Sequence, residues 1–271
     1  MSTIAVAQIT SSTDKAANLK LARELIGEGH RRGARMIAFP EFLMAFSPLS
    51  QTAEELAEVA EPVHGPFVTS LRQAARANGI DVLATIYESC DSPNRVHDSA
   101  LWIGAGGEVV SVYRKLHLYD AFGFKESDKF LAGEDLTPPI ESEIGSSGMM
   151  ICYDLRFPEL ARLLNLLGAE LIFSPSGWVQ GDLKVEHWRT MIRARALENG
   201  CYVVAPDQVG NIYIGHSMVA DPFGRTVVDL GEREGLELVE IDLALVREAR
   251  EKLPLLKNRR ADVYGKYTAQ T

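Results

Sequence analysis

The chain has 271 residues, 46% of them apolar and 24% charged, enough to bury one large core. Its formal net charge of -9, with basic residues paired but nowhere clustered, argues against a nucleic-acid partner. The first residues lack the basic segment and long apolar stretch of a secretory signal, and no apolar run could span a bilayer, so a cytoplasmic protein without a membrane partner is expected.

The first predicted element is a strand over residues 3–9, followed by a helix over 14–29 behind the capping candidates Thr13 and Asp14. A buried-type strand over 34–40 ends on Glu41. After an irregular stretch, a helix is expected over 66–78, with Pro66 in its first turn, Phe67, Leu71, Ala74 and Ala75 on one face, and Gly79 past its end. Strands follow at 81–88, 98–103 and 109–115. The last two are joined by Gly104-Ala105-Gly106-Gly107, a hairpin turn without the glycine spacing of a dinucleotide loop.

The next cycle is a strand over 148–152, a helix over 158–167 with Leu160, Leu163, Leu164 and Leu167 on one face, and a strand over 170–175. A helix over 186–199 leads to a strand over 201–206. Strands at 217–221 and 226–230 flank the turn Asp221-Pro222-Phe223-Gly224, and a strand over 236–241 runs into a final helix and a polar tail. With no linker, charge block or short repeat, residues 1–271 read as a single domain. Strands alternating with helices, then hairpins, predict a layered α/β fold of mixed sheets covered by helices.

Cys90, Cys152 and Cys201 are too widely spaced for a disulfide framework or a metal knuckle, and the six histidines form neither HExxH nor HxH, so no metal is expected. Cys152 closes an apolar strand at a strand-to-helix turn, where backbone N–H groups are free. The plain alternative, a small buried hydrophobe, suits Cys201 within Cys-Tyr-Val-Val-Ala, while Cys90 lies in a polar loop. A thiol of ordinary pKa, about 8.5, needs a base or a nearby cation before it can attack. Glu41 and Lys115 each end a strand run, so all three residues fall where ligand crevices form in open α/β sheets. Taken singly, each charged residue reads first as a solvated or rim position, and only their combination points to a site.

The segments Phe39-Pro40-Glu41, Tyr113-Arg114-Lys115-Leu116-His117-Leu118 and Ile151-Cys152-Tyr153-Asp154-Leu155-Arg156-Phe157-Pro158-Glu159, in that order, resemble the three signature segments of the nitrilase superfamily of carbon-nitrogen hydrolases. The resemblance runs from the first strand to Asp262-Val263-Tyr264 and takes in Phe124-Lys125-Glu126-Ser127, the 186–199 helix and Gly215-His216-Ser217. It implies a four-layer αββα sandwich of two mixed sheets flanked by helices, homodimers formed through a helix face, and a C-terminal tail, 250–271, packed on the partner subunit. It also implies hydrolysis of a small-molecule amide to acid and ammonia through a thioester on Cys152, with no metal or organic cofactor. Glu41 would serve as base, Lys115 and the Tyr153 N–H would hold the oxyanion, and Glu126 would position substrate or help a proton transfer.

The stretch after Cys152 is most similar to the Nit branch, which deamidates ω-amides of 2-oxo acids or deaminated glutathione. Ser174-Pro175-Ser176-Gly177-Trp178 departs from that branch's usual Pro-Gly-Ala-Phe. Trp178 is a candidate pocket wall or an aromatic packed under a loop. Arg156 either clamps a substrate carboxylate or pairs with Asp154 and Glu159, and Arg193, Arg195 and Glu198 read as ion pairs on a helix. Alternative functions are N-carbamoyl amidohydrolase or nitrilase activity on the same triad, a Cys/His hydrolase using His117 or His187, and an inactive binding or scaffold protein of the same fold.

Overall fold

The computed structural model describes residues 1–92 and 94–268. The chain starts with β1 (Ser2–Gln8), α1 (Lys15–Arg31), β2 (Met36–Ala38), α2 (Ala53–Val59), α3 (Pro66–Asn78) and β3 (Asp81–Ser89), and the three strands pair in parallel. Asp14 caps α1 by accepting the N–H groups of Ala16 and Ala17; α3 begins with Pro66 and stops at Gly79, which takes the left-handed conformation. β4 (Val96–Ile103) and β5 (Val109–Arg114) then add to β3 as antiparallel strands across the Gly104–Gly107 turn.

The second half repeats the plan. β6 (Ser147–Met149), α4 (Pro158–Leu166), β7 (Leu171–Phe173), α5 (Lys184–Asn199) and β8 (Tyr202–Ala205) give another parallel trio. A short ladder, β9 (Val209–Gly210) with β10 (Tyr213–Ile214), precedes the antiparallel β11 (Met218–Ala220) and β12 (Thr226–Asp229). β13 (Gly235–Ile241) crosses back to pair antiparallel with β1. α6 (Leu243–Lys252), α7 (Leu255–Asn258) and α8 (Ala261–Thr268) follow.

One sheet therefore runs β13-β1-β2-β3-β4-β5 and the other β12-β11-β8-β7-β6. Strand alternation shows how they stack. Ile4, Val6, Met36, Ala38 and Leu83 face the second sheet in one core, whereas Ala5, Ala7, Ile37 and Val82 face Ile26 of α1 and Leu71 of α3 in another. Trp102 of β4 meets Phe173 of β7 edge-on at 5.6 Å between the sheets. Leu164 of α4 packs against Gly148 on the other face of the second sheet, and Trp188 of α5 joins the same apolar cluster, which makes four layers, αββα.

Some elements differ from the sequence reading. The strands expected at 34–40, 148–152 and 170–175 shrink to three residues each, because the flanking apolar residues leave the ladder as the chain enters the site and keep only single bonds, such as Phe39 N–H to Leu83 O. α2 lies in the stretch expected to be irregular, closed by a capping box between Thr52 and Glu55. The leucines expected on one face of α4 divide: Leu160 and Leu164 are buried, Leu163 and Leu167 exposed. The expected polar tail is helical through α7 and α8, and its last residues, 269–271, lie outside the described residues.

Candidate active site

Glu41 emerges just beyond β2 and is fully buried. Thr85 of β3 fastens the corner, its hydroxyl donating to Pro40 O at 3.1 Å and accepting from the Leu43 N–H at 3.2 Å. Phe42, next in the chain, adopts φ +61°, a region residues with a Cβ enter at a cost. Glu41 Oε1 accepts from Lys115 Nζ at 2.7 Å and Oε2 from the Gly177 N–H at 2.6 Å. A Cβ on Gly177 would meet the Phe42 ring at 2.8 Å, so only glycine can bring that N–H so close.

Lys115 directly follows β5 and is buried. Its ammonium also donates to Glu126 Oε1 at 2.9 Å and stands 3.6 Å from Asp98 Oδ2. Glu126 opens the 3₁₀ turn Glu126–Asp128, and its Oε2 accepts the Tyr119 N–H at 2.6 Å. Burial works against the lysine's charge, but Glu126 and then Glu41 outweigh it and hold the ammonium well above its ordinary pKa. Burial raises Glu126 as well, with Lys115 pulling it down. Carboxyl oxygens of Glu41, Asp98 and Glu126 lie within 4.8 Å of one another, a spacing that could suit a metal ion. The cation already among them is the chain's own lysine.

Cys152 follows β6 and opens the 3₁₀ turn Cys152–Arg156 at φ +43°, again strained for a residue with a side chain. Asp154 locks this elbow. Its carboxylate accepts the Ile151 N–H at 2.8 Å, the Tyr113 hydroxyl at 2.6 Å and the His117 N–H at 3.0 Å, and it meets the His117 ring at 2.7 Å. Burial, and next the Glu41 carboxylate, push the Cys152 thiol well above its usual range, with Lys115 opposing. Such a shift favours the neutral thiol, and a thiol can act as a nucleophile only where a group stands ready to take its proton.

A cavity of about 640 Å³ is lined by Cys152, Glu41, Lys115 and Glu126 together, with Phe42, Tyr119, Phe124 and Tyr213 on its walls. Beside it a small recess is bounded by Cys152, Tyr153, Arg156, Trp178 and Lys184. The Tyr153 N–H belongs to the first turn after Cys152, where backbone donors have no intrahelical acceptor. Trp178 is both wall and packing: its ring lies 5.2 Å from that of Trp188, its N–H donates to Asp207 at 2.7 Å, and its indole N–H donates to Lys184 O at 3.0 Å.

Arg156 makes no ion pair with Asp154 or Glu159. Asp154 is taken by other donors, and Arg156 Nε and Nη2 find no hydrogen-bond partner among the described residues. The guanidinium stacks instead over Trp178 at 4.6 Å. Arg195 does pair with Glu198, at 2.8 Å, as expected for a helix, while Arg193 donates to Gly224 O. His117 stacks on Phe157 at 3.7 Å, and neither it nor His187 lines the cavity or the recess that holds Cys152.

The sequence reading missed Asp98, Asp154, Gly177 and Lys184. Asp98 left a trace: it is an acid in register with Ala100 and Trp102, two inward positions of β4. Gly177 left none, since its partner Glu41 is 136 residues away.

Residues 3–251 match the carbon-nitrogen hydrolase family model. The chain is 37% identical to the deaminated glutathione amidase of Escherichia coli O157:H7 over 93% of its own length and 94% of that protein. Nit3 of Saccharomyces cerevisiae, a member of branch 10 of the nitrilase superfamily, superposes with a TM-score of 0.85 at 30% identity, covering 96% of each chain. The amidase from Nesterenkonia sp. AN1, in a mutant whose active-site cysteine has undergone Michael addition of acrylamide, superposes with a TM-score of 0.81 at 25% identity, over 98% of this chain and 100% of that one.

Proposed function

The chain belongs to the carbon-nitrogen hydrolase family and hydrolyses an amide carbon-nitrogen bond, and from that premise we propose that Cys152 is its nucleophile, Glu41 its base and Lys115 an oxyanion donor. The observation that carries this is the single cavity into which a strained, buried thiol and a bonded glutamate-lysine pair all open. Glu41 takes the Cys152 proton as sulfur attacks the amide carbon. Lys115 and the Tyr153 N–H hold the oxygen that gains charge, and the C–N bond breaks as Glu41 passes the same proton to the nitrogen, which leaves as ammonia and returns Glu41 to its carboxylate form. Water, deprotonated by Glu41, then opens the thioester to the acid. Glu126 keeps Lys115 aimed through its own bond to the ammonium. The chemistry asks for no metal or organic cofactor.

The recess supports an amide that also carries a carboxylate, such as an ω-amide. Arg156, whose Nε and Nη2 are buried without a hydrogen-bond partner among the described residues, borders it, and so does Lys184, whose ammonium donates to the Tyr119 hydroxyl at 2.6 Å. Burial and then Arg156 lower the Lys184 pKa, so two cations repel across a gap that an anion would relieve. The name of the E. coli relative, a deaminated glutathione amidase, agrees with an acidic amide. Exposed Leu163 and Leu166 on α4, Leu167 at its C-cap and Leu197 on α5 support a homodimer joined through these helices. Among the described residues no helix is long and apolar enough to cross a membrane, which agrees with the cytoplasmic location we infer.

Ammonia release from ω-amides with and without a carboxylate, neutral aliphatic amides, N-carbamoyl compounds and nitriles, with Cys152→Ala in parallel, tests the proposal. Release confined to carboxylate-bearing ω-amides and lost in Cys152→Ala is expected. Preference for neutral amides would sink the substrate assignment, and turnover surviving in Cys152→Ala would sink the nucleophile.

A further inference from the structure

The mechanism above leaves one acid, buried behind the cavity, without a task. Asp98 of β4 is 1% exposed, and neither of its carboxyl oxygens has a hydrogen-bond partner among the described residues. Lys115 Nζ, at 3.6 Å, is too far to donate to it and points its protons at Glu41 and Glu126 instead. Glu41 further accepts the Gly177 N–H, and Glu126 the Tyr119 N–H. Of the three clustered acids, Asp98 is the one to which no donor is supplied.

Three ionised carboxylates around one ammonium would leave two uncompensated negative charges in a buried site. Acids this close do not all ionise together, and the proton stays on the one whose anion is least supported. We propose that Asp98 remains a neutral carboxylic acid and acts as a positioning residue, donating its O–H to Glu41 so that the base is held in place without further charge entering the pocket. This rests on Glu41 being the base. Burial and then the neighbouring Glu41 carboxylate push the Asp98 carboxyl well above the usual carboxylate range, against the pull of Lys115.

The groups facing Asp98 are Tyr87 of β3, Glu41, Lys115 and Glu126. The Tyr87 hydroxyl donates to Ala45 O at 2.7 Å and is itself driven well above its ordinary range by burial, so it stays protonated. Raising the pH therefore ionises Asp98, removes the donated hydrogen bond and sets a second negative charge beside Glu41, and turnover falls. A neutral acid kept protonated by its surroundings so that it can donate is a known device of enzyme sites.

The test joins infrared difference spectroscopy of the whole protein at neutral pH with pH profiles of kcat and KM. The wild type should show the carbonyl stretch of a protonated carboxylic acid that Asp98→Asn removes. Asp98→Ala should lower kcat about 10- to 100-fold with little change in KM, as expected for a misplaced base. Asp98→Asn, a donor that cannot ionise, should recover most of that loss and lack the wild type's alkaline decline. Absence of the acid band, an Asp98→Asn variant as slow as Asp98→Ala, or an unchanged alkaline limb would each overturn the proposal. Because the band is read without turnover, a fully active Glu41→Gln variant would reject the base and leave the Asp98 proton separately decided.

Discussion

Cys152 and Cys201 are both buried thiols of the second half of the chain, one just after β6 and the other just before β8. Burial raises both, Cys201 to about 12 and Cys152 well above its usual range. Their surroundings differ. Cys201 packs under the helices that cover the second sheet, its sulfur 3.9 Å from Arg195 O, and lines neither the active-site cavity nor the recess. Cys152 is turned to φ +43°, opens into the cavity and faces a bonded glutamate-lysine pair. A raised pKa therefore does not mark the nucleophile. What separates the two thiols is access: Cys152 opens into a cavity that also exposes a carboxylate and an ammonium, whereas Cys201, although Arg250 and Arg162 stand near it, lines neither space.

The sharpest way to break the comparison is to exchange each thiol for a methyl group. Cys152→Ala should abolish ammonia release while leaving the fold intact by circular dichroism, whereas Cys201→Ala should keep turnover and lose about 1 kcal/mol of stability in urea titration. Lys115→Met removes the cation: kcat should fall by about 10²- to 10³-fold as an oxyanion donor is lost. The same variant strands Glu41 and Glu126 beside each other, and unfolding should become easier by about 3 kcal/mol. A smaller effect is reactivity: a small thiol reagent should label Cys152 in the native protein, with loss of activity in step, and reach Cys201 only on unfolding. Peptide mapping that found Cys201 modified first would reverse the assignment.

A last effect is on stability at high pH. Cys201 ionises near 9.0 in the unfolded chain and only at about 12 in the folded protein. Its contribution is thus complete below pH 9.0 and lost as the pH climbs toward about 12, because the unfolded chain releases the proton first. Cys201→Ala should flatten the alkaline fall in melting temperature. An identical slope in both proteins would show that other groups govern it.

Local pattern made the parallel strands, the capped α1, the Pro-to-Gly span of α3 and both hairpin turns legible, because each depends on residues a few positions apart. Strand lengths were over-read where apolar residues such as Phe39 and Met150 continue past the ladder into the site. Glu41, Lys115, Cys152 and Glu126 stood out through their segments, and the structure brings all four to one cavity. Asp98 and Gly177 act through partners far away in sequence, and Arg156 was ambiguous until the donors that occupy Asp154 were known. α7, with four residues, and α8, with eight, are too short to display a helical period.

The Asp154 lock has a consequence for engineering. The carboxylate that shapes the Cys152 turn is held by Tyr113 of β5 and by His117, and β5 belongs to the other sheet. Transplanting the loop around Cys152 into a different sandwich would carry the sulfur but leave behind the clamp that bends its backbone. A transferable cassette must include the end of β5 as well, so the smallest unit that can be moved as a working nucleophile is a pair of strands from opposite sheets.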